Sequence, residues 1–519
     1  MRRAGPFLAV WGPMAKRAAS SGGKAARNRR PVGIRTLLWA AGAAAALFVL
    51  YVAGARWLLS GPKLRSWINT DPVSMKIDYD EAVSPWPGRL VLKNLQIRGS
   101  DDNVQWIIVL EHAKVDYSVL ALFRKSFRPV HLRGSGLSFR LRNKLDPAKL
   151  DRRLIELLPP IPGFSDPPLR AAPKPPVDPG RPWSVDVRNI RIEKFDEIWV
   201  DVYRYRGSAR LDGRFFLRPG LLARVGPASI DIPGGDVRLG EDPILLGATG
   251  RIAATMEAWD PREVQGSEVW ENTSGEAKLQ GRTESLAFLN FFARAGAEPR
   301  FSKGPGDLSL ELRVEKGNAR GDFALKSKGL NLRAAKVSLT GDAALRLHIA
   351  GWKVERGPLE VDRGRLELTD VSAAGAATSK AWWGRFDLTS ARIDSGFRAK
   401  IAARCQDARP LLPILGVPLP KWALGIVELE DLAARAEVDL GSGRTSVRGL
   451  EATGGPFSIR GEYERRPKRT EGVFLIQTKT LSAGVEVRED GTGLRLVKPA
   501  EWYEERRVAM RTAASPRPR

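Results

Sequence analysis

The stretch from Thr36 to Ala55 constrains the fold most, because none of its twenty residues is charged. At about 1.5 Å per residue, a helix of this length spans the hydrocarbon core of a bilayer, which is about 30 Å thick. A helix also satisfies its own backbone hydrogen bonds, as the bilayer core requires. The sequence therefore predicts a transmembrane anchor over residues 36–58.

The side chains expected to contact the membrane are large and apolar, and aromatic residues beside the span favour the membrane–water interface. The predicted anchor and interface residues are Leu37, Leu38, Trp39, Leu47, Phe48, Val49, Leu50, Tyr51, Trp57 and Trp67. A cleaved signal peptide is the alternative, since Ala53, Gly54 and Ala55 have the small side chains of a cleavage site.

The charges that flank the anchor predict its orientation. Residues 1–35 contain nine Lys or Arg and no Asp or Glu, whereas both signs mix after Arg56. Lys and Arg are retained on the cytoplasmic side of a membrane. We therefore expect a basic cytoplasmic tail, a single membrane pass and a long remainder on the other side. Met14 is an alternative start for this tail.

The composition argues against nucleic-acid binding and catalysis. The net charge is +25, but beyond the basic tail the excess is diluted among many acidic residues rather than clustered. His112, His131 and His348 have no partner at metal-ligand spacing, and no catalytic motif is present. We therefore expect no enzyme activity, cofactor or metal site. Cys405 is the single cysteine, which excludes an intramolecular disulfide, and we expect it to be buried.

Apolar and polar residues alternate through most of the chain after the anchor. The pattern is clearest between Asp307 and Leu368, where glycines mark the reversals. Alternation places one apolar face on each strand, and such short links join antiparallel neighbours. The residues predicted to share the apolar face are Leu308, Leu310, Leu312, Val314, Leu345, Leu347, Ile349, Leu366 and Leu368. Two such faces could close as a sandwich core, or one face could stay open as a trough.

Helical spacing and proline content divide the rest of the chain. Short amphipathic helices are predicted near 285–295 and 407–424, and proline is concentrated before Trp183. The predicted division is a tail (1–35), the anchor (36–58), a β-rich region that ends in a short helix (61–158), a Pro-rich linker or insertion (159–182), a β-groove region (183–497) and a basic, frayed C-terminal tail (498–519).

Several segments together resemble the bacterial AsmA-like family, which includes the larger TamB-like and YhdP-like proteins. They are WPGRLVLKNLQIRG at Trp86–Gly99, GRTESLAFLNFF at Gly281–Phe292, DARPLLPILGVPLPKW at Asp407–Trp422, and the strand-rich run from Leu429 to Tyr463. The resemblance covers residues 34–497, and the Pro-rich insertion and modest length depart from the family pattern.

The resemblance implies a Gram-negative inner-membrane protein whose bulk is a periplasmic β-groove. It also implies a passive part in phospholipid movement between the inner and outer membranes and in outer-membrane homeostasis, with membrane phospholipids as partners. We expect a mainly β fold, in which the transmembrane helix precedes an extended, twisted antiparallel sheet with a few short amphipathic helices. The alternative function is a scaffold for envelope proteins that pairs through its strand edges.

Overall fold

The computed structural model divides the chain into two compact units, Met1–Ala53 and Gly54–Arg519. The residues that the structure describes are 34–69, 75–148, 150–170, 184–218, 221–260, 263–264, 266–292, 300–334, 337–354, 357–374, 381–394, 396–411, 431–441, 443–467 and 469–514.

Helices are few and, apart from the first and the last, short. They are α1 (Ile34–Ser60), α2 (Pro62–Ile68), α3 (Val119–Leu122), α4 (Arg152–Ile155), α5 (Leu289–Phe292) and α6 (Pro499–Ala514), with 3-10 turns at Gly266–Asn272 and Leu286–Phe288. Among the described residues one helical stretch, Leu38–Ser60, is long and apolar enough to cross a membrane. The predicted anchor is therefore confirmed as an apolar helix, two residues longer at each end than expected.

Strands dominate the second unit, which confirms the predicted mainly β class. They are β1 (Met75–Asp78), β2 (Glu81–Val83), β3 (Arg89–Ser100), β4 (Val104–Tyr117), β5 (Ser126–Phe127), β6 (Pro129–Asn143), β7 (Ser184–Ile192), β8 (Phe195–Val200), β9 (Tyr203–Arg218), β10 (Leu222–Leu239), β11 (Asp242–Trp259), β12 (Thr273–Thr283), β13 (Arg300–Lys303), β14 (Gly306–Glu315), β15 (Asn318–Ala334), β16 (Val337–Lys353), β17 (Leu359–Ala374), β18 (Trp382–Ile393), β19 (Phe397–Cys405), β20 (Leu432–Gly441), β21 (Arg444–Gly454), β22 (Phe457–Arg466), β23 (Arg469–Gln477), β24 (Ser482–Arg488) and β25 (Gly491–Arg495).

All of these strands belong to one sheet. Strands β1 and β2 pair with β3, which is followed across the sheet by β4, β6, β7 with β8, then β9, β10, β11, β12 and β14. From β14 to β25 each strand pairs antiparallel with the next one in the chain, as the short links between β14 and β17 predict for that part of the sheet.

One step of the sheet is parallel, which the sequence did not predict. Strand β6 runs parallel to β7, with Leu132 opposite Ile190, and to β8, with Leu141 opposite Val200. Parallel neighbours need a long crossover connection, and residues 144–183 supply it. The proline-rich stretch, predicted as a linker or insertion, therefore connects two strands of one sheet. Residues 171–183 of it lie outside the described residues.

Arginines of the sheet hold the described part of this crossover through its carbonyl groups. The Arg142 side chain, 1% exposed, donates to Pro159 O and Ser165 O, both at 3.0 Å, to Gln105 Oε1 at 2.9 Å, and to the Asp166 carboxylate. Proline has no backbone N–H, so a proline-rich segment offers mainly acceptors. A guanidinium, which has five donors and no acceptor, is matched to such a surface.

The predicted internal helices are present as short turns. The 3-10 turn at Leu286–Phe288 begins at Ser285, whose hydroxyl accepts from Ala287 N at 3.2 Å, and continues into α5. The carboxylate of Asp407, the predicted cap of the second helix, accepts from Arg409 N at 2.9 Å at the start of a turn. Residues 412–424 of that prediction lie outside the described residues.

The prediction of a frayed C-terminal tail was wrong, because residues 499–514 form α6. Helix α6 packs on β23 and β24, where Val473 and Leu475 are buried with Tyr503. An added Cβ at Gly484 would lie 2.5 Å from the Trp502 ring, so the glycine lets the indole lie against the strand. This tertiary contact, rather than the mixed composition of the segment, accounts for the helix.

Candidate functional site

The alternating apolar residues of β14–β17 face the same side of the sheet, as predicted, and line up across it. Leu308 lies opposite Leu325, which lies opposite Leu345, and the register continues through Leu366 to Phe386. Beyond β18 the same row is completed by smaller and branched residues, namely Ala403, Ala434, Ala452, Ile459, Ile476 and Ala483. Eleven strands at about 4.8 Å spacing make this first row about 48 Å long.

Two more rows run beside the first. The middle row crosses from β12 to β20 and consists of Leu279, Leu310, Phe323, Leu347, Gly364, Leu388, Ile401 and Ala436. The third row crosses from β7 to β18 and consists of Ile192, Leu211, Ile230, Ile252, Ala277, Leu312, Gly321, Ile349, Val361 and Ala391. We call these three rows, together with Val314 and Leu368 on the same side of the sheet, the apolar face.

Burial differs across the apolar face. Of the nine predicted residues, Ile349 and Leu368 are buried, and the other seven are half-buried. Every side chain of the middle row from Leu279 to Ala436 is half-buried. In a closed sandwich the centre of each inner face would be the most deeply buried part. The middle row therefore keeps an accessible apolar surface between two more buried margins.

Helical segments bury one margin of the apolar face. Leu286, 1% exposed, belongs to one apolar cluster with the buried side chains of Val337 and Trp382, and Phe288 packs against this cluster. Leu411 packs on the same cluster. These segments lie at the long edge of the sheet where β12 ends, β14 begins and β15 ends. We call it the capped edge.

The opposite margin is buried by its own side chains near the short hairpins. Val361, Ala391 and Ala399 are buried there and pack with Leu347 and other half-buried residues. The middle row thus lies between the helical caps and this second cluster. The middle row therefore forms a long, partly exposed apolar strip, and buried clusters pack along both of its sides.

The other face of the same strands is charged and exposed. Arg365 Nε donates to Asp387 Oδ1 at 2.6 Å, and the Lys278 ammonium lies 2.5 Å from Glu311. His348, which the sequence predicts on the polar side, lies 2.8 Å from Asp322 through Nδ1. Exposed pairs of this kind add little stability, about 0–1 kcal/mol each. This polar face keeps the second side of the sheet compatible with water.

The predicted membrane residues lie on α1 and α2. The exposed ones are Leu38, Trp39, Leu47, Phe48, Val49, Leu50 and Trp57, and Tyr51 is half-buried. The side chains of Leu37 and Trp67 lie outside the described part of the structure. Within the second unit, the Tyr79 hydroxyl donates to Leu59 O at 2.7 Å, which fixes the last turn of α1 beside β1.

Cys405 lies at the capped edge and is fully buried. Burial raises the pKa of its thiol to about 12, and the nearby Asp407 carboxylate adds to the rise. The thiolate is the reactive form of cysteine. At pH 8 we expect N-ethylmaleimide to modify the native protein at least about a hundredfold more slowly than the urea-unfolded protein. Equal rates in the two states, measured by mass spectrometry, would contradict this burial.

Three features of the structure were not predicted from the sequence. They are α6, the exposed strand β25, and a basic cavity formed by strands far apart in the chain. Among the residues that the structure describes, no group of three or more His, Cys, Asp and Glu side chains is placed to hold a metal ion. The sequence matches no protein-family model and no curated protein, and no solved structure is significantly similar to the fold.

Proposed function

We propose that this protein is a membrane-anchored lipid carrier, in which phospholipid acyl chains lie along the middle row of the apolar face. The observation that carries the proposal is the unbroken, half-buried middle row from Leu279 to Ala436. A large accessible apolar surface on a protein is a mark of lipid, membrane or protein binding. The resemblance to the AsmA-like family adds the expectation of phospholipid transport between the two membranes of a Gram-negative cell.

The chemistry proposed is passive, since acyl chains would exchange water for apolar side chains. Each buried methylene contributes about 0.8 kcal/mol. The middle row crosses eight strands and is about 34 Å long at about 4.8 Å per strand, which exceeds the roughly 30 Å of a bilayer core. Length is therefore sufficient for a whole acyl chain to lie within the strip while its headgroup remains in water.

The location belongs to the same proposal. The apolar helix Leu38–Ser60 supports a single membrane pass. The basic residues that precede it support a cytoplasmic N-terminus, with the sheet in the periplasm. Fusing alkaline phosphatase, which is active only outside the cytoplasm, after Arg519 tests this orientation.

The lipid proposal predicts contact at defined residues. The photo-crosslinking amino acid p-benzoylphenylalanine at Leu310 or Leu347, in the full-length protein, should give lipid adducts on irradiation of cells. The matched controls are Glu311 and Arg346, which are adjacent in sequence, exposed and on the polar face. Mass spectrometry of the purified protein reads out the adducts. Equal labelling at all four positions would show that lipid contact is not specific to the apolar face.

Bound lipid should also depend on the middle row. We expect the double variant Leu310→Asp/Leu347→Asp to lower co-purifying phospholipid at least about fivefold, because a carboxylate is costly to bury against acyl chains. Leu310→Trp fills the strip without adding charge and should also lower the amount of co-purifying phospholipid. This variant distinguishes a loss of lipid binding from a loss of folding caused by the added charge. Wild-type amounts of lipid on both folded variants would refute the proposal.

A second function, a scaffold for envelope proteins, is favoured by strand β25. All five residues of β25 are exposed, and among the described strands it pairs only with β24. Leu494 and Leu496, 52% and 58% exposed, lie at this open edge. An extended segment of a partner protein can add to such an edge. Crosslinking from Leu494 to one protein, with no lipid adduct at Leu347, would favour the scaffold over the carrier.

A further inference from the structure

A basic cavity of about 560 Å³ lies on the polar face in the N-terminal part of the sheet. Its walls carry four arginines from four different strands: Arg133 on β6, Arg191 on β7, Arg214 on β9 and Arg251 on β11. Asp212 is the lining carboxylate. The arginines alternate with inward-facing residues such as Ile192, so the cavity opens on the face opposite to the apolar face.

Irregular pairing accounts for a hollow at this place in the sheet. The register between β7 and β9 shifts between Val187 and Ile190, and that between β10 and β9 shifts between Val225 and Ser229. The first shift places one extra residue on β7 and the second places one extra residue on β10, both opposite the same part of β9. Bulges bend a strand and redirect its side chains, and two of them on either side of one strand make a local depression.

The positive charge of the cavity is only partly balanced. Arg191 Nε donates to Asp212 Oδ1 at 3.0 Å, and Arg251 lies 3.6 Å from Asp231. Arg133 lies directly opposite Arg191 in the parallel ladder. Neither Arg133 nor Arg214 makes an ion pair or a side-chain hydrogen bond with any residue in the described part of the chain.

We infer that this cavity binds a phosphate-bearing anion, with Arg133 and Arg214 as its principal donors and Arg191 held in place by Asp212. Guanidinium groups bind phosphate through two parallel hydrogen bonds, which suits two unpaired arginines that line one cavity. The Ser229 hydroxyl lines the same cavity and offers a further donor. The ligand is either a soluble phosphate compound or the headgroup of an acidic phospholipid, which share this chemistry.

The test uses the full-length protein in an uncharged maltoside detergent and two probes. Calorimetric titration with inorganic pyrophosphate tests the soluble source. Titration with maltoside micelles doped with phosphatidylglycerol, compared with phosphatidylcholine, tests the headgroup source. The variant is Arg133→Gln/Arg214→Gln. Its matched control is Arg320→Gln/Arg346→Gln, which removes the same charge from two exposed arginines that do not line this cavity.

We expect saturable binding of at least one probe and at least about tenfold weaker binding by the Arg133→Gln/Arg214→Gln variant, because two charge-assisted contacts are lost. The control should change affinity less than about twofold. Pyrophosphate binding identifies a soluble ligand, and binding restricted to phosphatidylglycerol micelles identifies a headgroup. No saturable binding of either probe, or equal weakening by the control variant, would overturn the inference. The result does not depend on the lipid-carrier proposal, which concerns the opposite face.

Discussion

Replacing Trp382 by alanine should lower the free energy of unfolding by about 3–5 kcal/mol, which is typical of truncating a large buried aromatic residue. Trp382 is fully buried at the capped edge and packs within the cluster that contains Leu286. Its indole Nε1 donates to Asp407 O at 3.0 Å. The substitution would therefore open a cavity and release the segment that begins at Asp407. Urea denaturation of the detergent-solubilised protein, followed by far-ultraviolet circular dichroism, measures the loss.

The adjacent residue provides the control for this prediction. Trp383 points to the polar face and is 37% exposed, so Trp383→Ala should lower the free energy of unfolding by clearly less, about 1–2 kcal/mol. Trp382→Phe keeps most of the ring but loses the hydrogen bond, for which we expect a cost of about 1–2 kcal/mol. Similar losses for Trp382→Ala and Trp383→Ala would mean that the apolar face is not buried at the capped edge.

Local patterns predicted the strands well where pairing is regular. Leu308 to Val314 alternate strictly, and β14 pairs with both β12 and β15 without a register shift. An interruption of the alternation also has a local sign in the sequence: Leu92 and Leu95 are separated by two residues, and Asn94 between them has a φ of 49°. That left-handed residue lets both leucines be buried on one side of β3. Period-two patterns are local, and for this reason a sequence reveals them.

The features that the sequence did not predict depend on contacts between residues far apart in the chain. The basic cavity brings together residues from His131 to Ala253, and no local pattern records which strands lie side by side. The first row of the apolar face is completed by alanines such as Ala403 and Ala434, whose small side chains carry no strong periodic signal. Three of its members, Leu308, Leu345 and Leu366, are among the nine predicted residues, but its extent over eleven strands could not be predicted.

The crossover shows what composition leaves open. Prolines between Leu158 and Trp183 predicted a linker or insertion, because proline interrupts helices and strands. What the composition could not indicate is that the carbonyl groups of such a segment form a good acceptor surface for arginines. Arg98 Nη1 donates to Pro162 O at 3.0 Å and Arg140 Nη1 to Pro160 O at 2.9 Å, in addition to the contacts of Arg142. The segment is thereby held on the sheet by side chains from β3 and β6.

Arg142 should therefore carry much of the stability of the crossover. In Arg142→Met the apolar stem is kept, but Pro159 O, Ser165 O and Gln105 Oε1 lose their donor. A buried acceptor without a partner costs about 1–3 kcal/mol, and part of this is recovered by relaxation, so we expect a loss of about 2–5 kcal/mol. The measurement is urea denaturation, together with limited proteolysis that maps cleavage between residues 144 and 170.

A matched substitution separates this effect from the general loss of a positive charge. Arg210→Met removes an exposed arginine from β9 of the same sheet and should change stability by only about 0.5 kcal/mol. Proteolysis of Arg142→Met should begin within the crossover and leave the strands from β14 to β24 protected, since their pairing is continuous without it. If Arg142→Met were as stable as Arg210→Met, with no new cleavage between residues 144 and 170, the crossover would not depend on the buried guanidinium and the parallel step would have to be stabilised by its strand pairing alone.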